Sequence, residues 1–129
     1  MVDLTITLTT ASILGLMFVW LSGRVISARV ANDALIGDDG KADLIWPIRI
    51  HGNFIEYVPI FLIVLGALEA MGGNNIALIV IAAIFVIARA LHVPGMGPDA
   101  NLKFRQAGII GSFTAIAAAS LYGLYIALL

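Results

Sequence analysis

The distribution of charge along the chain constrains its fold more than any other feature. No charged residue falls between Asp3 and Arg24, and none between Ala107 and Leu129. Runs this long and apolar cannot be left in water, and about 20 apolar residues suffice to cross the hydrocarbon of a bilayer as a helix. Two further runs have the same character, so spans are expected at about 4–24, 48–70, 72–92 and 106–128. The runs are continuous and do not alternate, which excludes a transmembrane β-barrel. Four spans take up about 80 residues, which leaves only short loops within a chain of 129. The reading is an all-α membrane protein in which residues 1–129 form a single four-helix transmembrane bundle. Composition agrees: 61% of residues are hydrophobic and 12% are charged, against about 25% charged in soluble domains. The first run lacks a basic leader and is too long for a cleaved signal, so it reads as a retained span.

The same scarce charges orient the bundle. Arg24, Arg29, Lys41 and Arg49 belong to the first loop and its borders, and Arg89, Lys103 and Arg105 to the third, which accounts for all seven Lys and Arg. The positive-inside rule places loops one and three in the cytoplasm and both termini outside. Trp20 and Trp46 fall near the cytoplasmic interface, where an aromatic belt belongs. With a net charge of −1, nothing suggests a nucleic-acid partner. The absence of cysteine removes disulfides, thiolate metal sites and a catalytic protein thiol. The first loop, Asn32 to Lys41, contains Gly37-Asp38-Asp39-Gly40. It lacks the ligand spacing of a calcium loop and reads as a solvated turn. Met71-Gly72-Gly73-Asn74-Asn75 form a tight second linker, and Pro94, Gly95, Gly97 and Pro98 end the third helix after His92. In the fourth span Gly111, Ala115, Ala119, Gly123 and Ala127 recur every four residues. They make a small-residue ridge for close approach by another helix, of this chain or of another subunit.

The chemically informative stretch runs from Arg49 to Pro59. At about 100° per residue, Arg49, Asn53 and Glu56 fall within an arc of roughly 60°, with Tyr57 on its flank. Glu56 lies about 10 Å along the helix from Arg49, in the inner half of the bilayer. A carboxylate there is costly, by about 2.5–3.5 kcal/mol, so it must face the bundle interior or a wet cavity. Arg49 and Arg89 are the candidate partners. The cluster can be polar glue between helices or a cytoplasm-facing ligand pocket. Pro59 frees the carbonyl of Ile55 and can bend the helix there. A second cluster joins Arg89 and His92, three residues apart on one face, to Lys103 and Arg105. Lys103 and Arg105 also suit interfacial anchoring, and His92 a helix-end capping role. His51, His92 and Glu56 have no metal-site spacing, so no metal is assigned, and Ser27, Ser112 and Ser120 belong to no readable triad.

Arg49, Asn53, Glu56-Tyr57 and Pro59 together resemble the second-helix signature of the MAPEG family, the membrane-associated proteins of eicosanoid and glutathione metabolism. Val25-Ile26-Ser27-Ala28-Arg29 resembles the end of the first helix in leukotriene C synthases, and Ala88-Arg89 the third-helix Ala-Arg. The wording from His51 to Pro59 is most similar to the small bacterial branch. The resemblance covers nearly the whole chain. It implies a homotrimer in a bacterial inner membrane, with glutathione held between neighbouring subunits near the cytoplasmic face. By that likeness Arg49, His51, Asn53, Glu56, Tyr57, Arg89 and His92 line the cofactor site, and Arg29 reaches in from the neighbour. Arg105 resembles the catalytic arginine that stabilises the glutathione thiolate. The implied activity is transfer of glutathione to a lipophilic small-molecule electrophile, or reduction of one, with membrane lipid as surroundings. This chain departs from the pattern where His92 and Met96 stand in place of two glutathione-contacting tyrosines. The stretch from Met96 to Arg105 is also two residues longer, so Lys103 competes with Arg105. Two other readings stay open: a non-catalytic lipid- or ligand-binding protein of the same fold, and a small proton-coupled transporter working through Glu56.

Overall fold

The computed structural model describes residues 3–129. It holds four helices, α1 Thr5–Ala31, α2 Ala42–Ala70, α3 Asn75–His92 and α4 Leu102–Leu128, and no strand among the described residues. Each helix is long and apolar enough to cross a membrane. The first loop is residues 32–41 and the second only 71–74. Successive helices run in opposite directions, so loops one and three share one end of the bundle.

The helices extend past the apolar runs. At 29 residues α2 is about 43 Å long, more than the roughly 30 Å of hydrocarbon. It starts at Ala42, ahead of the hydropathic run that begins near Ile48. Hydropathy registers where lipid begins, whereas the helix continues through Asp43 and Pro47. Both Pro47 and Pro59 lie inside α2, which continues past each. α4 begins at Leu102, where the Asn101 side chain accepts from the Lys103 N–H at 3.0 Å. α3 has only 18 residues, about 27 Å, and is the one helix without an extension.

Within lipid, apolar contact between helices gains little over contact with acyl chains, so fit and hydrogen bonds decide the packing. α2 touches all three other helices, while α1 and α4 do not meet. Phe61 of α2 and Phe85 of α3, both fully buried, stack at 3.8 Å with an interplanar angle of 10°. Leu14 and Leu21 of α1, Phe54 and Leu65 of α2, Leu78 of α3, and Ala115 and Ala119 of α4 complete the core around them. The small-residue ridge of α4 meets helices of its own chain. A Cβ on Gly111 would come 2.8 Å from the Ala88 Cβ of α3, and one on Gly108 would come 2.7 Å from the His92 Cβ. Further along, Gly123 lies against Leu68 of α2.

The end opposite loops one and three is tied by polar contacts. α1 has no side-chain cap at its own N-cap position, Leu4. Glu69, at the far end of α2, supplies the acceptors instead: its carboxylate takes the Ile6 and Thr7 N–H groups at 2.7 Å each. A negative charge there also suits the positive end of the helix dipole. Asp3 accepts from the Thr5 N–H and hydroxyl, which hold its carboxyl below the usual carboxylate range. The Tyr122 hydroxyl accepts from the Asn74 N–H at 2.8 Å and closes the second loop onto α4.

Candidate functional site

A cavity of about 530 Å³ opens where α2, the end of α3 and the start of α4 come together, on the side of loop three. Its polar lining is Arg49, Asn53, Glu56 and Tyr57 of α2, His92 of α3 and Arg105 of α4. Apolar walls come from Trp46, Met96, Ile109 and Phe113 among others. The arc read from helical periodicity is therefore the α2 wall of a real concavity. Tyr57 packs against Phe113 at 5.7 Å between ring centroids.

Arg89 stands behind this wall and not in it. It is 2% exposed, because it continues the buried stripe Leu78, Ala82 and Phe85 of α3 at helical spacing. One terminal nitrogen donates to the Asn53 Oδ1 at 3.1 Å and the other to the Gly108 carbonyl at 3.0 Å. The guanidinium lies over the Tyr57 ring at 5.0 Å and near the Phe85 ring at 5.9 Å. Its Nε is buried without a partner. Its hydrogen bonds thus go to an amide and a carbonyl, and the expected ion pair with Glu56 is not the one it makes. Arginine has only donors, so Asn53 must turn its carbonyl oxygen toward Arg89. The Asn53 NH₂ is left as the group available to the cavity. Arg49, Arg105, the Asn53 NH₂ and the Tyr57 hydroxyl can all donate, and Glu56 is the carboxylate among them. Such a set suits a ligand that carries carboxylates and one ammonium group.

Arg105 is placed by the third loop. A Cβ on Gly95 would run into the Arg105 backbone, so only glycine lets the loop approach the first turn of α4 this closely. Arg105 lines the cavity, and Lys103 is not part of the lining. His92 is 3% exposed and lies against Gly108.

Besides Arg89, two expected site residues are not brought to this cavity by the chain itself. His51 is about 200° around α2 from Arg49 and faces α1, where its Nε2 is 2.9 Å from the Ser22 hydroxyl. Its ring lies 5.2 Å from that of Phe18. His51, His92 and Glu56 therefore do not converge. Arg29 donates to the Gly37 carbonyl at 2.8 Å, beside the first loop. Sequence reasoning missed Gly95 as the support of Arg105 and Glu69 as the cap of α1. Glu69 did carry a signal, being a carboxylate at the end of an otherwise apolar run.

Inner membrane protein YecN of Escherichia coli K12 is 26% identical over 101 residues, covering 78% of this chain and 76% of the relative. The protein of that name from Escherichia coli O6:H1 matches with the same figures. No solved structure matches significantly. The profile of the MAPEG family matches residues 7–125, from the first turn of α1 to the last turn of α4. Because that match takes in all four helices and every polar residue of the cavity wall, the chain belongs to the MAPEG family.

Proposed function

We propose that this protein is an integral inner-membrane glutathione-binding enzyme, transferring glutathione to a lipophilic electrophile or reducing one with it. The cavity between α2, α3 and α4 supports this reading above all, because its donor-rich lining with one carboxylate matches the tripeptide's two carboxylates and single ammonium. Glutathione supplies the thiol that a chain without cysteine lacks. Arg49 and the Asn53 NH₂ receive carboxylates, and Glu56 receives the ammonium. Arg105 sits at the N-terminal turn of α4, where its charge and the helix dipole both favour an anion. A cation beside the sulfur stabilises thiolate, the reactive form of a thiol. The lipophilic partner reaches the cavity from the membrane. Loops one and three face the cytoplasm in this reading, since all seven Lys and Arg gather toward that end. The assembly is a homotrimer in which Arg29, outside its own chain's cavity, completes a neighbour's.

Detergent-purified protein should show a higher Tm at millimolar glutathione and should conjugate glutathione to an aryl halide. Arg49→Ala should remove the Tm shift, and Arg105→Ala should abolish conjugation while keeping part of the shift. Absence of both the shift and the conjugation in the unaltered protein would overturn the proposal. Met96 favours a second reading: it offers a thioether and no hydroxyl to the cavity, at a position where the eicosanoid enzymes carry tyrosine. In that reading the same site holds its ligand without turnover, and a Tm shift without conjugation is the result that selects it.

A further inference from the structure

A second cavity lies across Met96 from the first. It has a volume of about 520 Å³ and opens between α1 and the end of α3, lined by Met17, Trp20, Arg24, Val93, Pro94 and Met96 among others. Met96 lines both cavities, so one thioether side chain is their common wall. Methionine is the side chain best able to repack around a changing neighbour. The chemistry of the two spaces differs. The first carries a carboxylate and several donors, while the charged side chain of the second is Arg24 and its one other polar side chain is that of Trp20. The Arg24 guanidinium lies over the Trp20 ring at 5.2 Å, which holds a long side chain in one direction beside the apolar side chains of this space. Arg24 stands about one turn of α1 beyond Trp20, at the depth expected for the membrane interface.

We propose that this second cavity binds an anionic amphiphile, with its acid group on Arg24 and its hydrocarbon along Trp20, Met17 and Val93. The argument is charge complementarity: an arginine among apolar side chains selects a long-chain acid over its neutral counterpart. The site does not depend on which ligand occupies the donor-rich cavity. Its position across Met96 gives a membrane-derived acid a place to lie beside that cavity without entering it.

The chain contains two tryptophans, one in each cavity, Trp20 in the second and Trp46 in the first. Single-tryptophan proteins therefore read the cavities separately. In a Trp46→Phe protein in nonionic detergent at pH 9, dibromostearic acid should quench Trp20 emission at about fivefold lower concentration than its methyl ester does. Arg24→Lys should keep much of that preference, and Arg24→Gln should abolish it. In the matching Trp20→Phe protein, Arg24→Gln should leave the quenching of Trp46 unchanged. Equal quenching of Trp20 by acid and ester would overturn the proposal, since it means partition into the detergent shell alone. A preference that survives in Arg24→Gln would overturn it as well. Wild-type protein carrying both tryptophans serves as the folding control, compared with each variant by gel filtration. A glutathione titration read through Trp46 reports on the first cavity, so failure there is distinguishable from failure here.

Discussion

A guanidinium buried among hydrocarbon needs hydrogen-bond partners more than packing, and Arg89 finds them in an amide and a carbonyl. Its consequence falls on Asn53, whose amide it orients. Asn53→Asp should therefore separate stability from binding. A carboxylate beside Arg89 supplies the missing counter-charge and should raise the Tm, by the equivalent of about 1–2 kcal/mol. The same change removes a donor from the cavity and adds a negative charge, so glutathione affinity should fall at least about tenfold by titration calorimetry. A variant that loses stability and binding together would show that Asn53 is not held as described. The face shared by Arg49, Asn53 and Glu56 could be read from residue spacing, because the three lie on one helix. The bond from Arg89 to Asn53 could not, because it joins residues 36 positions apart. The burial of Arg89 was nonetheless legible, since it stands at the next helical repeat after Leu78, Ala82 and Phe85.

Two contacts between helices carry predictions of their own. Gly108→Ala would push a methyl group into the His92 Cβ and the Ala88 carbonyl, and should cost about 1–3 kcal/mol in unfolding measured in mixed micelles. Gly15→Ala, with nothing within 4 Å of the added Cβ, is the matched control and should be neutral or slightly stabilising. Glu69→Ala should cost about 1–2 kcal/mol through loss of the cap on α1. Its signature is local: amide exchange at Ile6 and Thr7 should accelerate while that of the Phe61–Phe85 core stays slow. The small-residue spacing of α4 showed that some helix approaches closely there. It could not show that the partners are α3 and α2 of the same chain, because glycine spacing encodes proximity and carries no address. Helix starts were less legible than spans, since Asp43 and Pro47 interrupt the hydropathy of α2 without ending the helix.

At the level of the molecule, the number of helices and their order were legible because lipid leaves a chain few choices: twenty apolar residues must be helical, and short loops must reverse direction. Orientation and assembly make separate predictions. The lack of cysteine makes any introduced thiol unique, so Asp39→Cys should react with a membrane-impermeant maleimide only from the cytoplasmic side and Asn75→Cys only from outside. Native mass spectrometry of protein released gently from detergent should show three copies. The pairing of helices also bears on how the protein is made. The most extensive contacts join α1 to α2 and α3 to α4, neighbours in sequence, so each hairpin can close as soon as its second helix leaves the ribosome. The stacked Phe61 and Phe85 then belong to a later event, the docking of two finished hairpins. Synthesis of residues 1–72 and 73–129 as separate chains should therefore still yield a folded protein when both are inserted into the same membrane.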